Sequence, residues 1–459
     1  LDRLRLLMGL PEVSETYTLL LKLPAILSDL LCGWVLLRLA HPRLGAPGAL
    51  FIAGAYLFCP AVLVNSAQWG QVDSFCTAIL LGSVLLLYRE KYPLSGALYG
   101  LSVICKPQML IFAPLYLFFA LKRKKWAGLG LGAACALGAI LLVSLPYTHG
   151  FNFLWLIDKY QATLDYYDYY SINAYNFWAL IGKNWAYLPA AGLHKSLLTL
   201  AAPVLATLCC GAVLFLSKRK DAVFICPAVL MVVMYIFGVK MHERYLFPAL
   251  LFLVLAYVFT QDKRLLWAYG LVGALHHLNV AHVLWLFHTL GGNYDPQNMA
   301  GKVLAAFQLA AAAYYFYVCW SLYIQDKAVQ PQPPKAGPPA WSFPTGHKMR
   351  RADWLCMGAV SLLYAVVAFW DLGCLKTATT PWVPQEGQQA ILAAERPAET
   401  LHTIAGIAPD SSHYAARAGS QVLVETSMDG EAWYDCGQLP EEYVFCWKQF
   451  PLAVPGKYV

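Results

Sequence analysis

Charge is what this chain has least of. Asp, Glu, Lys and Arg make up 13% of its 459 residues, and hydrophobic residues make up 59%. Soluble domains carry roughly 25% charged and 45–50% apolar residues. A soluble protein covers its surface with charge, so this scarcity excludes a soluble globular domain. The 13 cysteines include no Cys-x-x-Cys or Cys/His spacing of a structural zinc site. No glycine-rich nucleotide-binding loop is evident, and the first residues show no signal-peptide pattern. The chain opens on Leu1 and closes in strand-like sequence, so the expectation is a fragment lacking some N-terminal and some C-terminal sequence. The net charge of +7 does not mark a nucleic-acid binder, because Lys and Arg fall in short clusters between apolar runs.

Those runs are what the chain has in abundance. They fall near 17–38, 49–66, 71–88, 94–106, 107–121, 127–146, 191–215, 222–238, 245–260, 265–287, 303–323 and 354–375. Many approach the roughly 20 residues needed to cross a bilayer core. The pattern predicts an α-helical polytopic membrane protein of about 12 spans over residues 1–375. The fourth and fifth runs are short and meet at Lys106-Pro107, where proline disfavours helix, so a broken helix is expected there.

Basic residues cluster at 38–43, 89–91, 122–125 (KRKK), 218–220 (KRK), 263–264 and 348–351. With the spans counted as above, all six clusters fall on one side, which the positive-inside rule makes cytoplasmic. The same side receives the Pro-rich loop within 326–352. The opposite side receives the N-terminal stretch, the loops at 67–70, 147–190, 239–244 and 288–302, and the tail.

Polar residues in apolar surroundings are costly and tend to be functional. Five separated segments bring them to the outer side. Lys22 and Asp29 lie in the first run. Gln68, Trp69, Gln71 and Asp73 form QWGQVD, and Lys106 and Gln108 form CKPQ. Asp158, Asn173 and Asn176 lie in a Tyr-rich loop with Asp165 and Asp168. Lys240, His242, Glu243 and Arg244 form KMHERY. Lys22, Lys106 and Arg244 suit phosphate oxygens, with Arg in bidentate geometry. His242 suits a leaving phosphate, with Glu243 holding His242 or Arg244. The amides, Asp side chains and Trp69 suit sugar hydroxyls and sugar faces. Each cluster also has a plainer reading: a structural Lys22–Asp29 pair two helical turns apart, a Trp-anchored interfacial turn, a helix break with a snorkelling lysine, a charged hairpin, an aromatic belt. His276, His277, Asn279 and His282 share one run, where hydrogen bonding between helices is favoured over a metal site.

These residues resemble the GT-C superfamily of polyprenyl-phosphate-sugar-dependent glycosyltransferases. The closest likeness is to dolichyl-phosphate-glucose glucosyltransferases of asparagine-linked glycan assembly and their bacterial relatives. The likeness is carried, in order over about residues 17–260, by Lys22…Asp29, QWGQVD, Lys106-Pro107-Gln108 and His242-Glu243-Arg244. Arg244 stands where the family signature has Lys. The resemblance implies a catalytic acidic residue in an outer loop after the first membrane helix, expected upstream of Leu1. Asp2, Glu12 and Glu15 remain upstream of the first run, and none is assigned that role.

The function expected is inverting transfer of a hexose, on the extracytoplasmic face of a cell membrane, from a polyprenyl-phosphate sugar to a glycan, lipid or protein acceptor. Lys106, His242, Arg244 and Lys22 would hold the donor phosphate. Glu243, Gln68, Trp69, Gln71, Asp73, Gln108, Asp29, Asn173 and Asn176 would support them or bind sugar and acceptor. No cofactor is assigned, and a divalent metal is left open. The alternative is a transporter or flippase of a lipid-linked glycan, which needs polar residues along a whole pathway and an internal repeat. A third possibility, a non-catalytic scaffold presenting the tail, leaves the outer polar groups without a role.

Residues 376–459 form the tail, with strand-like alternation at 421–425 and a turn at Asp429-Gly430. An incomplete extracytoplasmic β-sandwich of jelly-roll type is expected. Ser427-Met428-Asp429-Gly430-Glu431-Ala432-Trp433 resembles the turn of discoidin-like domains. Cys436 and Cys446 are either a disulfide or two free thiols.

Overall fold

The computed structural model describes residues 15–148, 152–290, 298–328, 349–369, 389, 391–403, 409–410, 413–414, 423–438 and 448–459. Two compact units divide the chain. One is helical and draws on 18–281 and 296–375. The other includes the strands after 376.

The apolar runs become helices with breaks where the sequence demands them. The first two runs join as Glu15–Leu57, interrupted at Gly45. Gly45 takes φ 72°, a left-handed conformation that a side chain disfavours. Lys106 ends the Tyr92–Cys105 helix in extended conformation (φ −152°, ψ 112°), as a residue before proline should. The chain resumes as a 3₁₀ turn, Pro107–Phe112, and then as the Ala113–Lys122 helix. The expected break therefore falls at Lys106-Pro107.

Among the described residues, five helices are long and apolar enough to cross a membrane: Leu19–Leu57, Trp126–Tyr147, Leu193–Leu216, Met299–Ile324 and Arg351–Phe369. A sixth arises if Pro60–Gln68 and Asp73–Tyr88, bent by 117°, form one span. The expected dozen contracts by this measure because several runs make short helices. Cys226–Phe237 has 12 residues and Phe247–Thr260 has 14. At about 1.5 Å per residue, each falls well short of a hydrocarbon core of about 30 Å. These two helices are apolar all round and lie buried in the centre of the unit, as such helices must.

The last helix, Arg351–Phe369, docks along the first by spaced polar contacts. His41 meets Asp353 at 3.1 Å, and Trp34 donates to Ser361 at 3.1 Å. Tyr364 donates to Asp29 at 2.8 Å.

In the second unit Ala393–Thr403 pairs antiparallel with Lys448–Tyr458, and Leu423–Thr426 with Tyr434–Gln438. The expected strand and turn are present. Gly430 takes φ 82°, and Asp429 accepts from the Glu431 and Ala432 amides at 2.9 and 3.0 Å. The described strands pair two by two, and reciprocal main-chain bonds between Ser427 and Tyr458, both 2.9 Å, join the two larger ladders. Cys446, like the Pro-rich 329–348 segment, lies outside the described residues.

Candidate active site

Three helix interruptions converge at one end of the helical unit. The first is QWGQVD. The chain passes through a π-helical turn, Val64–Gln68, and then reverses at Gly70 (φ 73°). Asp73 opens the next helix and is fully buried. The second is the Lys106 break and the third is the KMHERY hairpin. That hairpin is tied to the Tyr-rich loop by a short parallel ladder, in which Ser171 pairs with Met241 and Ile172 with His242. Lys240 takes φ 61° and donates its amide to the Tyr169 carbonyl at 3.0 Å.

Charges meet across these interruptions. Lys106 Nζ forms an ion pair with Asp73 Oδ1 and lies 5.0 Å from the Tyr245 ring centre. Arg244 donates to Glu243 Oε1 at 3.1 Å. Its guanidinium carbon lies 5.3 Å from the Trp69 ring centre and 5.6 Å from that of Tyr245, both in cation–π range. Gln108 Nε2 donates to the Tyr245 carbonyl at 3.3 Å. The His242 ring packs edge-on against Tyr167, centroids 4.7 Å apart, and near Tyr245 at 5.0 Å. Lys22 Nζ donates to the Gln68 carbonyl at 2.9 Å, and its side chain runs beside Gly70.

The electrostatics follow from burial. Burial, reinforced by Arg244 and Lys106, pushes His242 down to about 3, so the ring is neutral near pH 7. Burial also raises the Glu243 carboxyl above its ordinary range, against the pull of Arg244. Several polar atoms at this end are buried without hydrogen-bond partners: Asp73 Oδ2, Arg244 Nε, Gln108 Oε1 and both amide atoms of Asn65. A buried polar atom without a partner costs about 1–3 kcal/mol. Such a group of atoms is therefore suited to a polar ligand.

The remaining expected residues take other positions. Asp29 lies buried among hydroxyl donors, namely Ser74, Tyr56 at 3.4 Å and Tyr364 at 2.8 Å. Gln71 donates its amide to the Asn65 carbonyl at 2.9 Å. Asn173 accepts from Trp185 Nε1 at 2.8 Å and forms a bridge with His242. Asn176 caps Phe177–Leu180 and donates to the Tyr235 carbonyl at 3.0 Å. Both asparagines thus frame the hairpin. Asn279 makes a bond between helices by accepting from the Tyr235 hydroxyl at 2.5 Å. It ties the loop by accepting from the Tyr175 amide at 2.9 Å and donating to the Asn173 carbonyl at 2.8 Å, whereas both His276 ring nitrogens are buried without a partner. Asp2 and Glu12 lie outside the described residues. Among the described residues, no three His, Cys, Asp or Glu side chains gather so as to hold a metal ion.

Two contributors were missed in the sequence. Tyr245 links Lys106, Gln108 and Arg244, and its signal was its place directly after the flagged Arg244. Asp168 was noted only as part of an aromatic loop. It binds Lys195 at 2.6 Å and Lys240 at 2.9 Å. Burial opposes its charge, but the two lysines hold its carboxyl below the ordinary range.

This arrangement sets a charged and aromatic cluster at one end of a bundle of apolar helices, the build of a multi-pass membrane protein. The chain belongs to Glycosyltransferase family 87, whose model matches residues 10–239. The matched stretch contains Lys22, Asp73 and Lys106 and stops just before the hairpin that carries His242. Over 100 residues the chain is 25% identical to GPI mannosyltransferase 1 of Saccharomyces cerevisiae. That stretch is 22% of this chain and 25% of the yeast protein, so the chain spans about a quarter of that relative's length.

Proposed function

We propose that this chain transfers a hexose, with inversion, from a polyprenyl-phosphate sugar to an acceptor on the extracytoplasmic face of the membrane. The observation that carries this reading is the meeting of Lys106 with Arg244 and His242, from two segments distant in sequence, beside buried polar atoms that lack partners. The donor slides in from the lipid, and its phosphate lies against the two cations. Neutral His242 donates an N–H to a phosphate oxygen. As the anomeric C–O bond breaks, negative charge grows on the leaving phosphate, and cations already in place stabilise it without reorganisation. The acceptor hydroxyl gives its proton to an acidic base, a role assigned to no residue of this chain. The basic residues at the opposite end face the cytoplasm under the positive-inside rule, which leaves this end outward.

Mannose is the first sugar to test, given the name of the yeast relative. The complete protein, incubated with a panel of polyprenyl-phosphate sugars, is expected to release polyprenyl phosphate from at least one of them when acceptor is supplied. No release from any donor by well-folded protein would overturn the reading.

A further inference from the structure

The cluster at the three helix interruptions is balanced in charge. Lys106 is set against Asp73, and Arg244 against Glu243. Asp73 is fully buried beside one of the cations, where a carboxylate by itself weakens the hold on an anion. Asp73 does more than satisfy that lysine. Its Oδ1 engages Lys106, while Oδ2 is buried with no hydrogen-bond partner. Arg244 Nε and Gln108 Oε1 are in the same condition. The carboxylate is thus built for two tasks, one toward the lysine and one toward a hydrogen-bond donor from outside the protein.

We propose that Asp73 is a specificity-determining residue that makes this site favour a singly charged phosphodiester donor over its doubly charged phosphomonoester product. This rests on the donor reading given under the proposed function. In the transfer, the bond between the anomeric carbon and the phosphate oxygen breaks, and its electron pair stays on that oxygen. The acceptor oxygen bonds to the anomeric carbon and gives up its proton to the base. The phosphate begins with one negative charge and ends with close to two, since the second pKa of a phosphomonoester is about 6. Asp73, beside the lysine that holds the phosphate, repels the product's extra charge. It also loses the sugar hydroxyl that Oδ2 accepts in the donor complex. At separations of about 5–6 Å and an effective dielectric constant of about 20, one additional charge changes relative affinity by at least about tenfold. Lys106 and Arg244 bind the phosphate, and Asp73 keeps them from retaining it after reaction.

The test uses the complete protein in nanodiscs, with decaprenyl phosphate and decaprenyl-phosphate mannose as probes. Affinities for both are measured in the wild type, Asp73→Asn, Lys106→Gln and the double variant. Asp73→Asn is expected to move the product-to-donor affinity ratio toward product by about tenfold or more. Lys106→Gln moves it the other way, and the double variant returns toward the wild-type ratio. Should Asp73→Asn fail to fold, the double variant set against Lys106→Gln isolates the same carboxylate, and removing it there is again expected to move the ratio toward product. An unchanged ratio in the folded single variants overturns the inference, as does equal weakening of both lipids, the mark of a merely structural counter-ion. Failure of the donor reading looks different: the wild type binds neither lipid, and the inference then falls with it.

Discussion

The helical unit has two polar ends, and they treat their charges differently. The Asp73–Tyr88 helix runs from one to the other, 16 residues or about 24 Å. At the Tyr88 end the ions are saturated. Arg264 donates to both Asp262 oxygens at 3.0 and 2.7 Å, to Ser321 at 2.9 Å and to the Lys327 carbonyl at 2.8 Å. Arg219 forks onto Asp221 at 3.1 and 3.0 Å. At the Asp73 end, Arg244 donates to a single carboxylate oxygen and leaves Nε without a partner. A cation whose donors are all used holds structure together. A cation left half-used in a buried place is available to a ligand.

The comparison breaks most sharply at the site end. Lys106→Ala and His242→Ala are each expected to lower sugar transfer by about 10²–10³-fold or more, with protein yield maintained. Near-normal turnover in both variants would erase the distinction between the ends. The same conservative exchange, made at each end, sharpens it. Arg244→Lys loses the fork geometry and is expected to lower turnover by about tenfold. Arg264→Lys should leave turnover per folded molecule within about twofold and instead lower stability by about 1–3 kcal/mol in thermal melts.

Proton linkage separates the ends in another way. Folding favours neutral His242, whose pKa drops from 6.5 to about 3. Between those values the unfolded chain binds a proton that the folded chain refuses, so stability falls as pH drops through that window. His242→Gln should flatten this part of the pH profile, and parallel wild-type and variant profiles would count against it. The smallest effect is expected from Tyr364→Phe, which removes one of the hydroxyl donors to buried Asp29. It should cost about 1 kcal/mol and leave turnover almost unchanged.

The site motifs were legible because charge is conspicuous in an apolar chain. Lys106, His242 and Arg244 stand out by cost alone, and Pro107 announces the break that positions Lys106. Their partnerships were not legible. Asp73 reads as a supporting or sugar-binding residue by type, and its pairing with Lys106 is one between two interruptions that periodicity cannot reveal. Asn173 and Asn176 read the same way, but an asparagine amide satisfies loop backbone as readily as a hydroxyl, and both frame the hairpin. In the fold, each apolar run marked a helix, while hydropathy could not separate a full crossing from a short helix buried in the centre of the bundle. The pairing of Ser171–Ile172 with Met241–His242 had no sequence signal, because two residues are too few to alternate.

That brief ladder bears on how such a protein diverges. Around it the loop is fastened by main-chain atoms: the Lys240 amide to Tyr169, the Trp185 amide to Ser171 and the Leu188 amide to Asp168, at 3.0, 2.9 and 2.8 Å. Main-chain bonds ask little of side-chain identity. Mutational drift can therefore rewrite the side chains the loop displays while the histidine beneath keeps its place.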